Sequence, residues 1–151
     1  MKEKCLIESK NHVLVRSLER QEKLGEVFTP TNLVLEMLDK LSDAVWQEEK
    51  IFIDPTCGNG QLLVAVAIIK LELGHKNYLE TIYGVDIMQD NIDECRQRLD
   101  SDNQYPEIME KNIICADALT YHYRFDGTDH GVTDQDLHNE SVGLIMPEKI
   151  A

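Results

Sequence analysis

No C-x-x-C pair and no histidine at zinc-ligand spacing accompanies the four cysteines of this chain, Cys5, Cys57, Cys95 and Cys115. That excludes a compact cysteine-rich metal site and predicts reduced, mostly buried thiols of the kind cytosolic proteins carry. Long apolar runs are missing as well. The most apolar stretch, LLVAVAII at 62–69, is too short to span a bilayer, and the opening MKEKCLIESK lacks the apolar core of a signal peptide. The expectation is a soluble cytoplasmic chain with no membrane partner. Positive charge is scarce: 15 Lys and Arg face 28 Asp and Glu, for a net charge of −13. Residues 1–24 hold six of the basic residues and four Glu, which leaves −15 on the remainder. A broad phosphate-binding face made by this chain alone is thereby excluded, so DNA is expected only through a partner. There is no internal repeat and no Pro- or Gly-rich linker, and 151 residues with 42% hydrophobic content suffice for one domain with a core.

What is present is an alternation. Residues 8–24 are mixed-charge, with Val13, Leu14, Val15, Leu18 and Leu24 at helical spacing. Gly25 and Pro30 of GEVFTP interrupt that pattern. A helix is predicted from Thr31 to Leu41, with Leu33, Val34, Met37, Leu38 and Leu41 on one face. The strand IFID (51–54) runs into DPTCGNG (54–60), and an apolar helix continues to Leu73 before Gly74. TIYGVD (81–86) predicts a second strand, DNIDECRQRL (90–99) a helix with Ile92, Cys95 and Leu99 inward, and NIICAD (112–117) a third strand. Such alternation predicts a parallel, doubly wound α/β sheet. The tail DGTDHGVTDQDLHNE (126–140) has five acids and no Lys or Arg, which predicts an exposed loop; SVGLIMPEKIA then predicts a short strand at 142–146. The domain division is an N-terminal helix (1–24), a ligand-binding core (25–120), and an acidic loop with a last strand (121–151).

All three predicted strands end in an acid: Asp54, Asp86 and Asp117. Open parallel sheets bind ligands beyond the carboxyl ends of their strands. Each acid taken singly suits a helix cap or a turn exit; three in succession, beside Gly58 and Gly60, outline a ligand rim. Glycine lets backbone approach a ligand closely. Asp86 is placed to accept ribose hydroxyls, and Asp117 an adenine amino group. The loop is not G-x-G-x-x-G, and the charge of Asp54 would repel a pyrophosphate. A ligand with a positive amino group, a ribose and an adenine fits better, and S-adenosylmethionine has all three.

Four stretches in order resemble the N-6 adenine DNA methyltransferases, especially the modification subunits of restriction–modification systems. GEVFTP (25–30) is similar to that family's G-x-F/Y-F/Y-T-P motif, DPTCGNG to its D-P-A/T-C/A-G-S/T-G loop, GVDIMQDN (84–91) to its ribose-binding strand end, and CADAL (115–119) to the motif flanking adenine. The resemblance, over about residues 20–120, implies a partial Rossmann-like methyltransferase fold of three to four parallel strands with flanking helices and an N-terminal helical extension. It implies that Phe28, Thr29 and Pro30 line the methionine end of the cofactor and that Asp54 holds its amino group, directly or through water. Gly58 and Gly60 would admit it, and Asp86 would bind the ribose, with Ile87 against one adenine face. Asp117 would accept from the adenine amino group, with Ala118 or Leu119 packed on the ring.

The family's catalytic motif, N/D/S-P-P-Y/F/W, is missing. The nearest stretch, LIMPE (144–148), has one proline, no acid or amide before it, and Glu148 in place of the aromatic residue. In the family the strand before the glycine loop is central, so IFID is left at an edge unless 142–146, a second polypeptide or a second copy of the chain pairs with it. The leading expectation is an S-adenosylmethionine-binding half of a methyltransferase, inactive alone and completed by a partner. The first alternative is an active DNA methyltransferase with an unconventional site drawing on Tyr121, His122 or Tyr123. The second is an acidic, non-enzymatic interaction protein acting on restriction–modification enzymes. His122, His130 and His138 with Asp129, Asp134 and Asp136 match no compact metal spacing.

Overall fold

The structure, a computed structural model, describes residues 27–127. The expected helix at 8–24, most of the acidic loop and the expected strand at 142–146 lie outside these residues. Helix α1 spans Thr31–Asp39, strand β1 Phe52–Asp54, helix α2 Gln61–Glu72 and strand β2 Ile82–Asp86. Helix α3 (Gln89–Leu99), helix α4 (Pro106–Asn112) and strand β3 (Ile113–Cys115) follow. Short 3-10 turns at Asp43–Trp46 and Tyr78–Thr81 lead into β1 and β2. The strands are parallel in the order β1-β2-β3, with Asp54 opposite Gly84 and Asp86 opposite Cys115.

Side chains alternate across the sheet, as the period of a strand requires. Ile82 and Ile113 point into one cluster with Leu63, Val66, Ile92, Cys95 and Met109, and Phe52 packs against it. Val85 and Ile114 point into another. The four described helices all pack on the first face. The helix expected on the second face of a doubly wound sheet is not found among the described residues. Instead the chain after β3 lies across that face, where Tyr121 and Phe125 are buried with Val85, Ile114 and Ala116. The ring of Phe125 lies 4.6 Å from that of Tyr83 and 5.4 Å from that of Tyr121.

Helix α2 is apolar nearly all round because it lies flat on the sheet; Leu63 to Ala67 are all buried. It also buries Lys70 completely. Its ammonium donates to the carbonyl of Lys50 at 2.6 Å and to Thr81 Oγ1 at 2.7 Å, tying together the chain entering β1 and the chain entering β2. Burial pushes the Lys70 amine below its usual range, against the opposing pull of Glu48 and Glu49.

Two expectations need correction. Helix α1 buries only Val34 and Leu38, while Leu33, Met37 and Leu41 are exposed, because among the described residues α1 packs mainly on α2. The third strand stops at Cys115 and begins after Asn112, since that residue closes α4, a helix the apolar periodicity does not show. Asp117 therefore stands beyond its strand rather than ending it.

Candidate functional site

A cleft of about 520 Å³ opens beyond the carboxyl ends of the strands. One wall is Val27, Phe28 and Thr29, ahead of α1; another is Pro55 to Gly58, the turn leaving β1. Asp86, Ile87, Met88 and Asn91 line it from β2 into α3, and Ala116 to Leu119 from the chain after β3. Eight of the expected cofactor residues thus share one cleft: Phe28, Thr29, Gly58, Asp86, Ile87, Asp117, Ala118 and Leu119. Pro30, Asp54 and Gly60 are not part of its lining.

The turn keeps its shape through backbone bonds. The Cys57 amide donates to the Val85 carbonyl, and the Gly60 amide to the Cys57 carbonyl, each at 2.9 Å. Gly60 has φ +87° and precedes α2 as its N-cap; a Cβ there would sit 2.6 Å from Cys95 Sγ. Gly58 has φ +53°, and a Cβ would press on the Phe28 ring at 3.3 Å. Only glycine meets both demands, left-handed backbone and close packing. Gly60 therefore serves the loop from beneath, by admitting Cys95, rather than from the cleft wall.

Asp86 anchors this turn to the sheet. Its Oδ2 accepts from the Gly58 amide at 3.0 Å, and its Oδ1 accepts from the Met88 amide at 2.9 Å and from Asn91 Nδ2 at 3.2 Å. Asn91 is buried and lines the cleft, a role the helical periodicity of 90–99 does not announce. The available signal was its place in the first turn of the helix that follows an acidic strand end. There an amide side chain folds back on that acid.

Asp54 is half-buried and accepts from the Thr56 amide at 3.1 Å. Burial raises its pKa, the Thr56 bond opposes that rise, and the charge of Asp86 adds to it. Asp117 caps its own turn, accepting from the Leu119 amide at 2.9 Å. The Cys57 thiol is pushed well up, first by its hydrogen bond with Cys95 and then by burial, which makes it a packed thiol and not a nucleophile.

Tyr121, His122 and Tyr123 are absent from the cleft lining. The Tyr121 hydroxyl accepts from the Phe125 amide at 3.1 Å, and the Tyr123 hydroxyl donates to the Ala118 carbonyl at 2.8 Å. Both tyrosines belong to the second-face cluster, where such rings bury area and tether their polar ends. Among the described residues no cluster of His, Cys, Asp or Glu is arranged to hold a metal ion, and no helix is long and apolar enough to cross a membrane. His130 and His138 lie outside the described residues.

The family model for N-6 DNA methylases matches residues 12–126. The chain belongs to the N-6 DNA methylase family. Among curated proteins and among solved structures, none gives a significant match. The match takes in every element of the described fold through β3 and both walls of the cleft. For this methylase-family chain, the glycine turn, the acid of β2 and the segment after β3 thus occur together in one matched span.

Proposed function

We propose that the cleft binds S-adenosylmethionine, and that the chain is the cofactor half of an N-6 adenine DNA methyltransferase, inactive alone. The observation that carries this reading is the charge of the cleft: Asp86 and Asp117 line it, and among the described residues no Lys, Arg or His does. Such a lining suits a cationic ligand and opposes a pyrophosphate. When bound, the cofactor supplies an electrophilic methyl group on its sulfonium.

The chain's own residues bind and orient. Asp86, held by the Met88 and Asn91 donors, presents its carboxylate to the ribose hydroxyls. Gly58, held by Asp86, lets the Phe28 ring close against the turn. Ile87 and Ala118 pack on the adenine, and Asp117 accepts from its amino group. Asp54 adjoins Pro55 of the cleft wall and offers a carboxylate to the cofactor's amino group, directly or through water. Pro30 sets Phe28 and Thr29 by starting α1, its carbonyl accepting from Leu33 and Val34.

A second polypeptide, or a second copy, completes the sheet and supplies the target-base contacts and the cationic DNA surface. This part of the reading is supported by the missing N/D/S-P-P-Y/F/W motif and by β1, which is an edge strand among the described residues with Ile51 and Ile53 exposed. A restriction–modification setting in the cytoplasm suits both parts.

Calorimetric titration of the purified chain with S-adenosylmethionine tests the cofactor assignment. Saturable binding is expected, weakened by about 10-fold or more in Asp86→Ala, as loss of a charged hydrogen-bond acceptor implies. Equal affinity in wild type and Asp86→Ala would overturn the assignment of the site. Methyl transfer to DNA by the isolated chain would overturn its inactivity alone.

A further inference from the structure

The glycine turn is gripped from below by a network whose other members, Glu94, Arg98, Gln61 and Thr31, lie outside the four motifs. Helix α3 presents Glu94 and Arg98 one turn apart, on the same face. Between them lies Asn59, buried in the middle of the turn. Asn59 Nδ2 donates to Glu94 Oε1 at 3.2 Å, and Arg98 Nη1 donates to the Asn59 carbonyl at 3.0 Å. The same guanidinium reaches further: Nη2 donates to Gln61 Oε1 at 3.1 Å, and Gln61 Nε2 donates to Thr31 Oγ1 at 2.9 Å. Thr31 begins α1, two residues after Thr29 of the cleft wall, and Asn59 adjoins Gly58 of the opposite wall.

We propose that Arg98 is a positioning residue for the cofactor cleft, its guanidinium coupling the glycine turn at Asn59 to the start of α1 at Thr31, so that the two walls are set together. This rests on the reading that the cleft takes S-adenosylmethionine. The geometry of arginine explains the choice. A planar fork serves two acceptors in fixed directions, whereas an ammonium on a flexible stem serves one of them well. Cys95 Sγ, packed under Gly60, keeps the turn from sinking toward α3, and Arg98 keeps it from lifting away.

The test uses the full chain with Arg98→Met, Arg98→Lys, Thr31→Val and the double variant Arg98→Met/Thr31→Val. Two readouts are taken: S-adenosylmethionine affinity by calorimetry, and amide hydrogen exchange of Gly58 and Gly60 by NMR without cofactor. Arg98→Met is expected to weaken binding about 10-fold and to speed exchange at both amides; Arg98→Lys should recover part of each effect. Thr31→Val should weaken binding by about 3-fold, and the double variant should bind no worse than Arg98→Met, because Thr31 acts through the same guanidinium. If Arg98→Met does not fold, the same comparison is made with Arg98→Lys and its double variant. Multiplying effects would overturn the coupling, and unchanged affinity with unchanged exchange would overturn the positioning role. If the wild-type chain does not bind the cofactor, the cofactor reading fails and exchange alone decides. Faster exchange at Gly58 and Gly60 in the Arg98 variants then upholds the positioning of the turn, and identical exchange overturns it.

Discussion

The two faces of the sheet are closed in different ways. On the first, α1 to α4 cover all three strands with aliphatic side chains, and Lys70 ties the entrances of β1 and β2 together. On the second, an irregular run with aromatic side chains covers β2 and β3, through Val85 and Ile114, and leaves Ile53 of β1 half in solvent. Helices bury area through repeated contacts along their length. A single crossing strand of chain must rely on a few large rings. The first face is therefore self-sufficient, and the second is where more polypeptide adds most. The cleft sits at the end of the strands, beside the helix-covered face, so its walls are set by the better-packed part of the described fold.

This contrast can be attacked in order of expected effect. Lys70→Ala should cost the most, about 3–5 kcal/mol in denaturant unfolding, because it opens a cavity and strands the acceptors at Lys50 and Thr81. Phe125→Ala on the second face should cost less, about 3 kcal/mol, the low end for a buried phenylalanine, since a thinner layer relaxes more readily. A larger loss for Phe125→Ala than for Lys70→Ala would reverse the ranking of the faces. Asp54→Asn tests the rim. Because burial raises the Asp54 pKa, the folded chain binds more protons than the unfolded one in the window just above 3.8. Stability accordingly falls as pH rises through that window and stays lowered above it. Asp54→Asn should raise the melting temperature at neutral pH, flatten that acid-side dependence, and weaken S-adenosylmethionine binding; a lower melting temperature at neutral pH would show that the charge is well accommodated. Ile53→Ala should have the smallest effect on the isolated chain, about 0.5 kcal/mol or less, as expected of an exposed edge residue. A loss near 3 kcal/mol would mean that the edge of β1 is covered.

Much of the placement of the candidate cleft was legible in the sequence. Asp54 and Asp86 end their strands as expected, and Gly58, Phe28 and Asp86 share a cleft because parallel strands bring their carboxyl ends to one rim. Ile92, Cys95 and Leu99 face inward as helical spacing requires. Other features carried no such signal. Helix α4 is short and holds only Ile108 and Met109 as apolar residues, so its period does not show; Pro106 at its start was the one available cue. Lys70 looks like a surface interruption in an apolar helix until the carbonyl of Lys50 is seen beside it. Tyr121 and Tyr123 looked like candidates for chemistry because reactive and packed tyrosines read alike in sequence.

Taken by itself, the sequence determined the family, the parallel α/β class and the stations of Asp54 and Asp86, since all of these follow from local periodicity and from motifs contiguous in the chain. Only the tertiary structure decided that Asp54 turns to Thr56 and stays out of the cleft lining, that Asn91 folds back on Asp86, and that Arg98 reaches Asn59 and Gln61. Those relations join residues separated by up to 39 positions or depend on a side chain's direction. They arise when helices are pressed onto a sheet, and no local pattern records where a packed side chain will point.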